Sequence, residues 1–310
     1  MPEVLDLRKK FKRNNAVNGV NLYLEQGEIV GLLGPNGAGK STTISMIATL
    51  LEPTGGDIRL FNESIVKHPE KIRSILGLVP QKITLYDDLS AEENLEFFGR
   101  IYRLKGKELK RRKDEVLASI GLTEKRKEKV KNFSGGMKRR LNIGVALLHD
   151  PQFVIMDEPT VGIDPQSRNY ILDAVRRLNR ERGITVLYTS HYMEEVEYLC
   201  DRIYIMDQGK IIASGTKEEL KNILFQENTI MIKTDRPRPK FVERLKADPV
   251  IRKVLIQDQF VQIIVPKEMN VFQHIFQMAN ETGTEISALE VKTPTLEDVF
   301  LHLTGRTLRD

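Results

Sequence analysis

Five short segments of this 310-residue chain carry residue types suited to phosphate chemistry: GPNGAGKST at 34 to 42, Gln81, NFSGGM at 132 to 137, FVIMDEP at 153 to 159, and His191. In the first, Gly34, Gly37 and Gly39 permit backbone conformations and close approaches that a side chain would block, so successive N–H groups can wrap a β-phosphate. Lys40 follows as a point charge for β- and γ-phosphates, and the Ser41 hydroxyl is placed to bind Mg²⁺. The run Gly34, Pro35, Asn36, Gly37, Ala38, Gly39, Lys40, Ser41 and Thr42 is therefore the expected ATP-binding loop.

Two acids end the apolar run from Phe153 to Met156, and Pro159 stops it. Asp157 can hold the shell of a Mg²⁺ ion, while Glu158 can take a proton from an attacking water or polarise it. His191 ends another apolar strand, ITVLYTS at 184 to 190, where it could hydrogen-bond a γ-phosphate oxygen and orient the water. Gln81, after the strand-like ILGLVP, could contact metal or water in the same way. The remaining histidines, His68, His149, His274 and His302, are read as structural. Ser134 is a good N-cap, Gly135 and Gly136 expose backbone donors, and Met137, Leu141, Val145 and Leu148 make an apolar helical stripe. Those residues describe a second helix-terminal anion site, or equally a capped core helix with a basic face at Lys138, Arg139 and Arg140.

Such groups need a frame. The apolar IVGLL runs straight into the glycine-rich segment, and Thr42 to Leu51 has the spacing of a helix, so strand, loop and helix follow in the order that phosphate binding requires. Ligands of a parallel sheet lie at the carboxyl ends of its strands, which is where the acids and His191 fall. Ser90 with Glu93 spells a capping box, and Leu95, Phe98 and Tyr102 share one face of the helix that follows. A basic helix with Lys110, Arg111, Arg112 and Lys113 comes next and reads as a solvated charged face, or as a tract near anionic lipid.

Composition fits a globular machine with one large unit and one smaller: 40% hydrophobic residues, 29% charged and no Trp. The net charge of +5 and a pI near 9.1 would suit nucleic acid or an anionic membrane face, or simply a solvated basic surface. Cys200 is the only cysteine, so no intrachain disulfide is possible and a cytosolic location fits. The start MPEVLDLRKKFKRNN lacks the apolar stretch of a signal peptide. No apolar run approaches the roughly 20 residues that cross a bilayer, so a membrane role needs another polypeptide.

With all five segments in this order, residues 1 to 220 resemble the ATPase subunit of an ATP-binding-cassette (ABC) transporter. The resemblance implies an α/β, P-loop NTPase fold of the ABC ATPase type: a RecA-like core with an antiparallel β subdomain and a helical subdomain at about 86–150, which docks the membrane partner. It implies ATP and Mg²⁺ as ligands, with Ser41, Gln81 and Asp157 on the metal and Glu158, His191 and Gln81 catalytic. It also implies a head-to-tail homodimer in which Ser134, Gly135 and Gly136 of one copy meet the ATP held by the phosphate loop of the other. Val161 to Asp164 resembles the loop that communicates across that seam. Phe11, 29 positions before Lys40, falls where the family stacks an aromatic on adenine, and is expected to bind ATP so; a core aromatic in an edge strand is the alternative. Phe133 and Met137 replace the more frequent Leu and Gln without touching the serine or the glycines.

Domains are expected at 1–222 and 223–310. The second reads as strand NTIMIKT, helix PKFVERLKA, strands VIRKVLIQ and QFVQIIV, helix NVFQHIFQMANETG and strand EISALEV, the βαββαβ order of a ferredoxin-like α+β module. The tail TPTLEDVFLHLTGR at 293 to 306 resembles that of drug, antibiotic or sodium exporter ATPases. The expected function is thus ATP hydrolysis that drives export of a small molecule or ion through a separate transmembrane permease, with peripheral attachment at the cytoplasmic face of the membrane and no nucleic-acid partner. A soluble ABC ATPase acting on ribosome or nucleic acid is the alternative; a non-hydrolysing switch is disfavoured because Glu158 and His191 are kept.

Overall fold

A computed structural model describes residues 1–12, 14–223, 227–235, 237–257, 259–266, 271–292 and 295–304. Cα packing divides the chain into Met1–Lys217 and Glu218–Thr307.

The first unit opens with β1 (Pro2–Phe11) and β2 (Asn14–Tyr23), an antiparallel pair whose inward positions Val4, Leu7, Val20 and Leu22 are buried while their neighbours face water. With β4 (Gly55–Leu60) and β5 (Glu63–Ser64) they form a four-stranded sheet ordered β2-β1-β4-β5. Between them run β3 (Ile29–Leu33) and α1 (Lys40–Ile47). The helix starts at Lys40 rather than Thr42 and stops short of Leu51, because Thr49 turns into the left-handed region at φ 56°.

After α2 (Pro69–Arg73) and β6 (Leu76–Val79) come three helices, α3 (Ala91–Ile101), α4 (Gly106–Ser119) and α5 (Gly135–Leu147). The capping box closes α3: Ser90 Oγ accepts from Glu93 N at 3.2 Å and Glu93 Oε2 accepts from Ser90 N at 2.7 Å. In basic α4, Lys110 and Arg111 face solvent as expected, but Arg112 and Lys113 do not. Arg112 and Lys113 are only 4% and 8% exposed. Arg112 donates to the Leu147 and Leu148 carbonyls that end α5, and Lys113 pairs with Glu92 and Glu96 of α3, so these cations bind the three helices together. Nor do the residues after Gly136 form a uniform basic face, since Arg139 is buried.

The remaining elements of this unit are β7 (Phe153–Asp157), α6 (Pro165–Arg182), β8 (Thr185–Ser190), α7 (Met193–Leu199), β9 (Arg202–Asp207) and β10 (Lys210–Thr216). They complete a six-stranded sheet, β10-β9-β3-β8-β7-β6, parallel except for the β9–β10 hairpin. Its central strands β3 and β8 are buried at every position, the near-continuous apolar pattern of a sheet covered on both faces. Cys200 lies in this interior, and burial pushes its thiol pKa far above the ordinary value.

In the second unit, after α8 (Lys217–Asn222), the order is β11 (Glu227–Thr234), α9 (Pro239–Ala247), β12 (Lys253–Gln257), β13 (Phe260–Pro266), α10 (Phe272–Thr282) and β14 (Ile286–Lys292), then α11 (Leu296–Thr304). The sheet runs β12-β13-β11-β14 and is antiparallel throughout, the ferredoxin-like arrangement that the βαββαβ order predicts. Ile230, Ile232, Val261, Ile263 and Val265 line its core face, closed by Phe241 and Leu245 of α9 and Ile275 of α10. Arg13 of the basic start, Asn270 at the head of the second expected helix, and Thr293, Pro294, Gly305 and Arg306 of the tail lie outside the described residues.

Candidate active site

Register alone gathers the chemistry. Leu33 pairs with Ser190, Asp157 with Thr189, and Val79 with Met156, so β3, β8, β7 and β6 end side by side on the carboxyl edge of the sheet. The phosphate loop leaves β3, His191 leaves β8, Asp157 ends β7 with Glu158 next, and Gln81 follows β6. Four segments scattered over 158 sequence positions, from Gly34 to His191, thus share one edge.

Gly39 caps α1 at φ 106°, and a Cβ there would collide with the Ala16 carbonyl. Both facts demand glycine. Lys40, next in line, is 5% exposed; its ammonium donates to the Gly34 carbonyl at 2.6 Å and to Pro35 at 3.1 Å. Burial pushes its pKa down, opposed by the nearby Glu158 and Asp157 carboxylates.

Glu158 sits at the centre. Lys40 Nζ lies 3.8 Å from its Oε1, Gln81 Nε2 donates to its Oε2 at 3.0 Å, and His191 Nδ1 stands 3.5 Å from that same oxygen without forming a hydrogen bond. The Glu158 backbone occupies the left-handed region at φ 45°, a conformation costly for a non-glycine and typical of residues held in place by their surroundings. What holds it is Thr189, whose hydroxyl accepts from Glu158 N at 2.9 Å and donates to Asp157 Oδ1 at 2.9 Å. One buried hydroxyl therefore orients both acids.

Thr189 escaped the sequence reading because it sits in an otherwise apolar run; the available signal was a pair of hydroxyls, Thr189 and Ser190, at the carboxyl end of a buried strand. Glu195 was missed too. It is 2% exposed, and its Oε2 accepts from Thr160, Tyr188 and Ser190 at 2.8, 2.9 and 2.8 Å. Ser190 Oγ in turn accepts from Tyr192 N at 2.9 Å, so this carboxylate pins both the segment after Glu158 and the turn that bears His191.

A cleft of about 590 Å³ opens over the loop, lined among others by Phe11, Asn36, Lys40, Ser41, Thr42 and Glu158, a volume suited to a nucleotide. Phe11 is 46% exposed there, which sets aside the core-aromatic reading. Among the described residues, Ser134, Gly135 and Gly136 do not line this cleft. Ser134 caps α5, its Oγ accepting from Met137 N at 3.2 Å. Gly135 is open to solvent, whereas Gly136 is buried, and a Cβ on it would strike the Ser167 hydroxyl just inside α6. Asp164, at the end of the Val161 to Asp164 loop, caps α6 through Ser167 N at 2.9 Å.

A phosphate loop at a parallel-sheet edge, faced by an acid pair, a histidine and a glutamine, defines a P-loop nucleoside-triphosphatase. The family profile described as ABC transporter matches residues 17–161, and that of the ATP-binding protein DrrA1-3-like C-terminal domain matches 215–304. The chain is 46% identical to the linearmycin resistance ATP-binding protein LnrL of Bacillus subtilis, over the full length of both. It is 34% identical to the daunorubicin/doxorubicin resistance ATP-binding protein DrrA of Streptomyces peucetius, covering 99% of this chain and 93% of that one. The dimeric, ADP- and Pi-bound cassette MJ0796 matches 70% of this chain and 98% of its own at TM-score 0.64 and 28% identity. The chain belongs to the ABC transporter family, as an ATP-binding subunit, and is an ATPase.

Proposed function

We propose that this subunit energises export of a small molecule or ion through a separate membrane-spanning permease, and that two copies close head to tail on two ATP molecules. The observation that carries the hydrolytic part is the Glu158 carboxylate, within 4 Å of Lys40, Gln81 and His191 at one sheet edge. Glu158 takes the proton of the attacking water, His191 and Gln81 orient that water, and Lys40 with the loop 34 to 42 holds the phosphates. Phe11 stacks on adenine at the cleft mouth. Ser41, Gln81 and Asp157 offer a hydroxyl, an amide oxygen and a carboxylate, a hard oxygen set that fits Mg²⁺. Gln81 uses its amide nitrogen on Glu158, so its oxygen is the atom left for the metal. Held there, Mg²⁺ would supply positive charge to offset that of the phosphates.

The two-copy reading is supported by the separation of Ser134–Gly136 from their own chain's cleft: a capped helix N-terminus suited to anions has no phosphate to serve there. The ATPase domain is taken as residues 1–222 and the accessory module as 223–310, a boundary five residues beyond the break in Cα packing at Lys217. Export, rather than action on ribosome or nucleic acid, is supported by relatives named for antibiotic resistance and Nod factor export along nearly the whole chain. Among the described residues no helix is long and apolar enough to cross a membrane. In this reading the permease is a separate chain, and attachment is peripheral, at the cytoplasmic face. Purification from membranes in mild detergent tests this. A polytopic partner should copurify, and Glu158→Gln should abolish the ATPase activity of the complex; isolation of the subunit alone, or hydrolysis that survives the substitution, would refute it.

A further inference from the structure

Arg139 is 4% exposed, yet the charge on its guanidinium meets no carboxylate ion partner among the described residues. Its two terminal nitrogens instead donate to backbone carbonyls of the segment that carries the metal-side glutamine: Nη1 to Pro80 at 2.9 Å and Nη2 to Gln81 at 2.7 Å. Its Nε is buried without a hydrogen bond. A buried cation that leaves one donor unmet is a poor stabiliser, so the fork is better explained by what it fixes in place. One turn along the same helix, Asn142 Oδ1 accepts from both the amide and the hydroxyl of Thr84 at 3.3 Å. Residues three apart on a helix share a face, so α5 grips 80 to 84 at two points.

The ends of this connection matter. Gln81 touches Glu158 through its side chain at 3.0 Å, while its own carbonyl is held by Arg139. Arg139 lies in the first turns of α5, whose N-cap is Ser134. A shift of Gln81 at the nucleotide must therefore drag on the helix start that bears Ser134, Gly135 and Gly136.

We infer that Arg139 is a positioning residue that couples the two ATP sites of a closed pair: it converts the placement of Gln81 at one nucleotide into the placement of Ser134 against the other. This rests on the head-to-tail reading given above. Without the fork, each site still binds nucleotide, because Arg139 does not line the cleft. What fails is the passage of state between sites.

The test compares the full-length parent with Arg139→Met, which removes both bonds, and Arg139→Lys, which keeps the charge and reaches one carbonyl. Nucleotide affinity is measured with a fluorescent ATP analogue, and hydrolysis is followed across ATP concentrations. The parent should show a Hill coefficient approaching about 2, the ceiling for two sites. Arg139→Met should bind the analogue within roughly twofold of the parent, lose roughly tenfold in kcat and fall to a Hill coefficient of about 1, with Arg139→Lys in between. A Hill coefficient unchanged in Arg139→Met overturns the inference, even if kcat drops, since a purely structural lesion lowers rate without removing cooperativity. Should Arg139→Met fail to fold, Arg139→Lys decides: the parental Hill coefficient in a folded Lys variant overturns it equally. The head-to-tail reading is checked apart from this, by ATP-dependent dimerisation of Glu158→Gln with Arg139 intact. Dimerisation there beside an unaltered Arg139→Met Hill coefficient sinks the coupling alone, whereas a monomer sinks both.

Discussion

Gln81 Nε2 and Glu158 Oε2 lie 3.0 Å apart, a contact that joins the segment after β6 to the acid just past β7. Because the amide donates to one carboxylate oxygen, Gln81 fixes the rotamer of the acid proposed as the base. Gln81→Ala should therefore cut kcat for ATP hydrolysis by about 10²-fold, with ATP affinity changed much less, since the loop and Lys40 stay intact. Steady-state hydrolysis alongside equilibrium nucleotide binding reads the split. A proportionate loss of affinity would show that Gln81 acts on binding and not on the chemical step.

Thr189 is fully buried, and its hydroxyl bridges Glu158 N and Asp157 Oδ1. Thr189→Val is nearly isosteric but leaves a buried N–H unmet, at a cost of about 1–3 kcal/mol. Chemical denaturation should register that loss. Hydrolysis should fall as well, because the strained Glu158 backbone loses the group that holds it. A variant as stable and as active as the parent would show that the bridge does not support the acids.

Acid should loosen the helices α3 and α4 early. Hydrogen bonds from Arg126 hold the Glu92 pKa below its ordinary value, outweighing burial, and those from Lys113 and Arg100 do the same for Glu96. A carboxyl lowered on folding contributes stability that is complete above the ordinary glutamate value and lost as pH falls through the lower folded one. Hydrogen exchange followed by mass spectrometry should accordingly show protection in 91 to 119 declining in that acidic window, before the central strands open. Protection unchanged as pH falls below the ordinary glutamate range would contradict the assignment.

How much of this was readable from sequence depended on whether a residue's role was local. The phosphate loop, the capping box of Ser90 and Glu93, and the strand ends at Asp157 and His191 were legible because each is set by spacing and flanking residues. The βαββαβ module was legible for the same reason, through alternating apolar runs. Arg112, Lys113 and Arg139 were not. Their charge reads as solvent-facing, and only tertiary placement supplies the carbonyls and carboxylates that bury them. Thr189 and Glu195 act across strands and helices distant in sequence, which no periodicity records. Gly136 was read as an exposed donor, yet its lack of a side chain is required by Ser167, some thirty positions on.

The two-copy closure rests most directly on one measurement: the molar mass of Glu158→Gln by size-exclusion chromatography with light scattering, with and without saturating ATP and Mg²⁺. If Glu158 is the base, its removal leaves the phosphate loop but no hydrolysis, so the closed pair should accumulate and the mass should double with ATP and return to the monomer without it. Addition of Ser134→Arg, which places bulk where the two-copy reading puts the partner's phosphates, should restore the monomer. A Glu158→Gln chain that stays monomeric in saturating ATP would contradict the shared-site account.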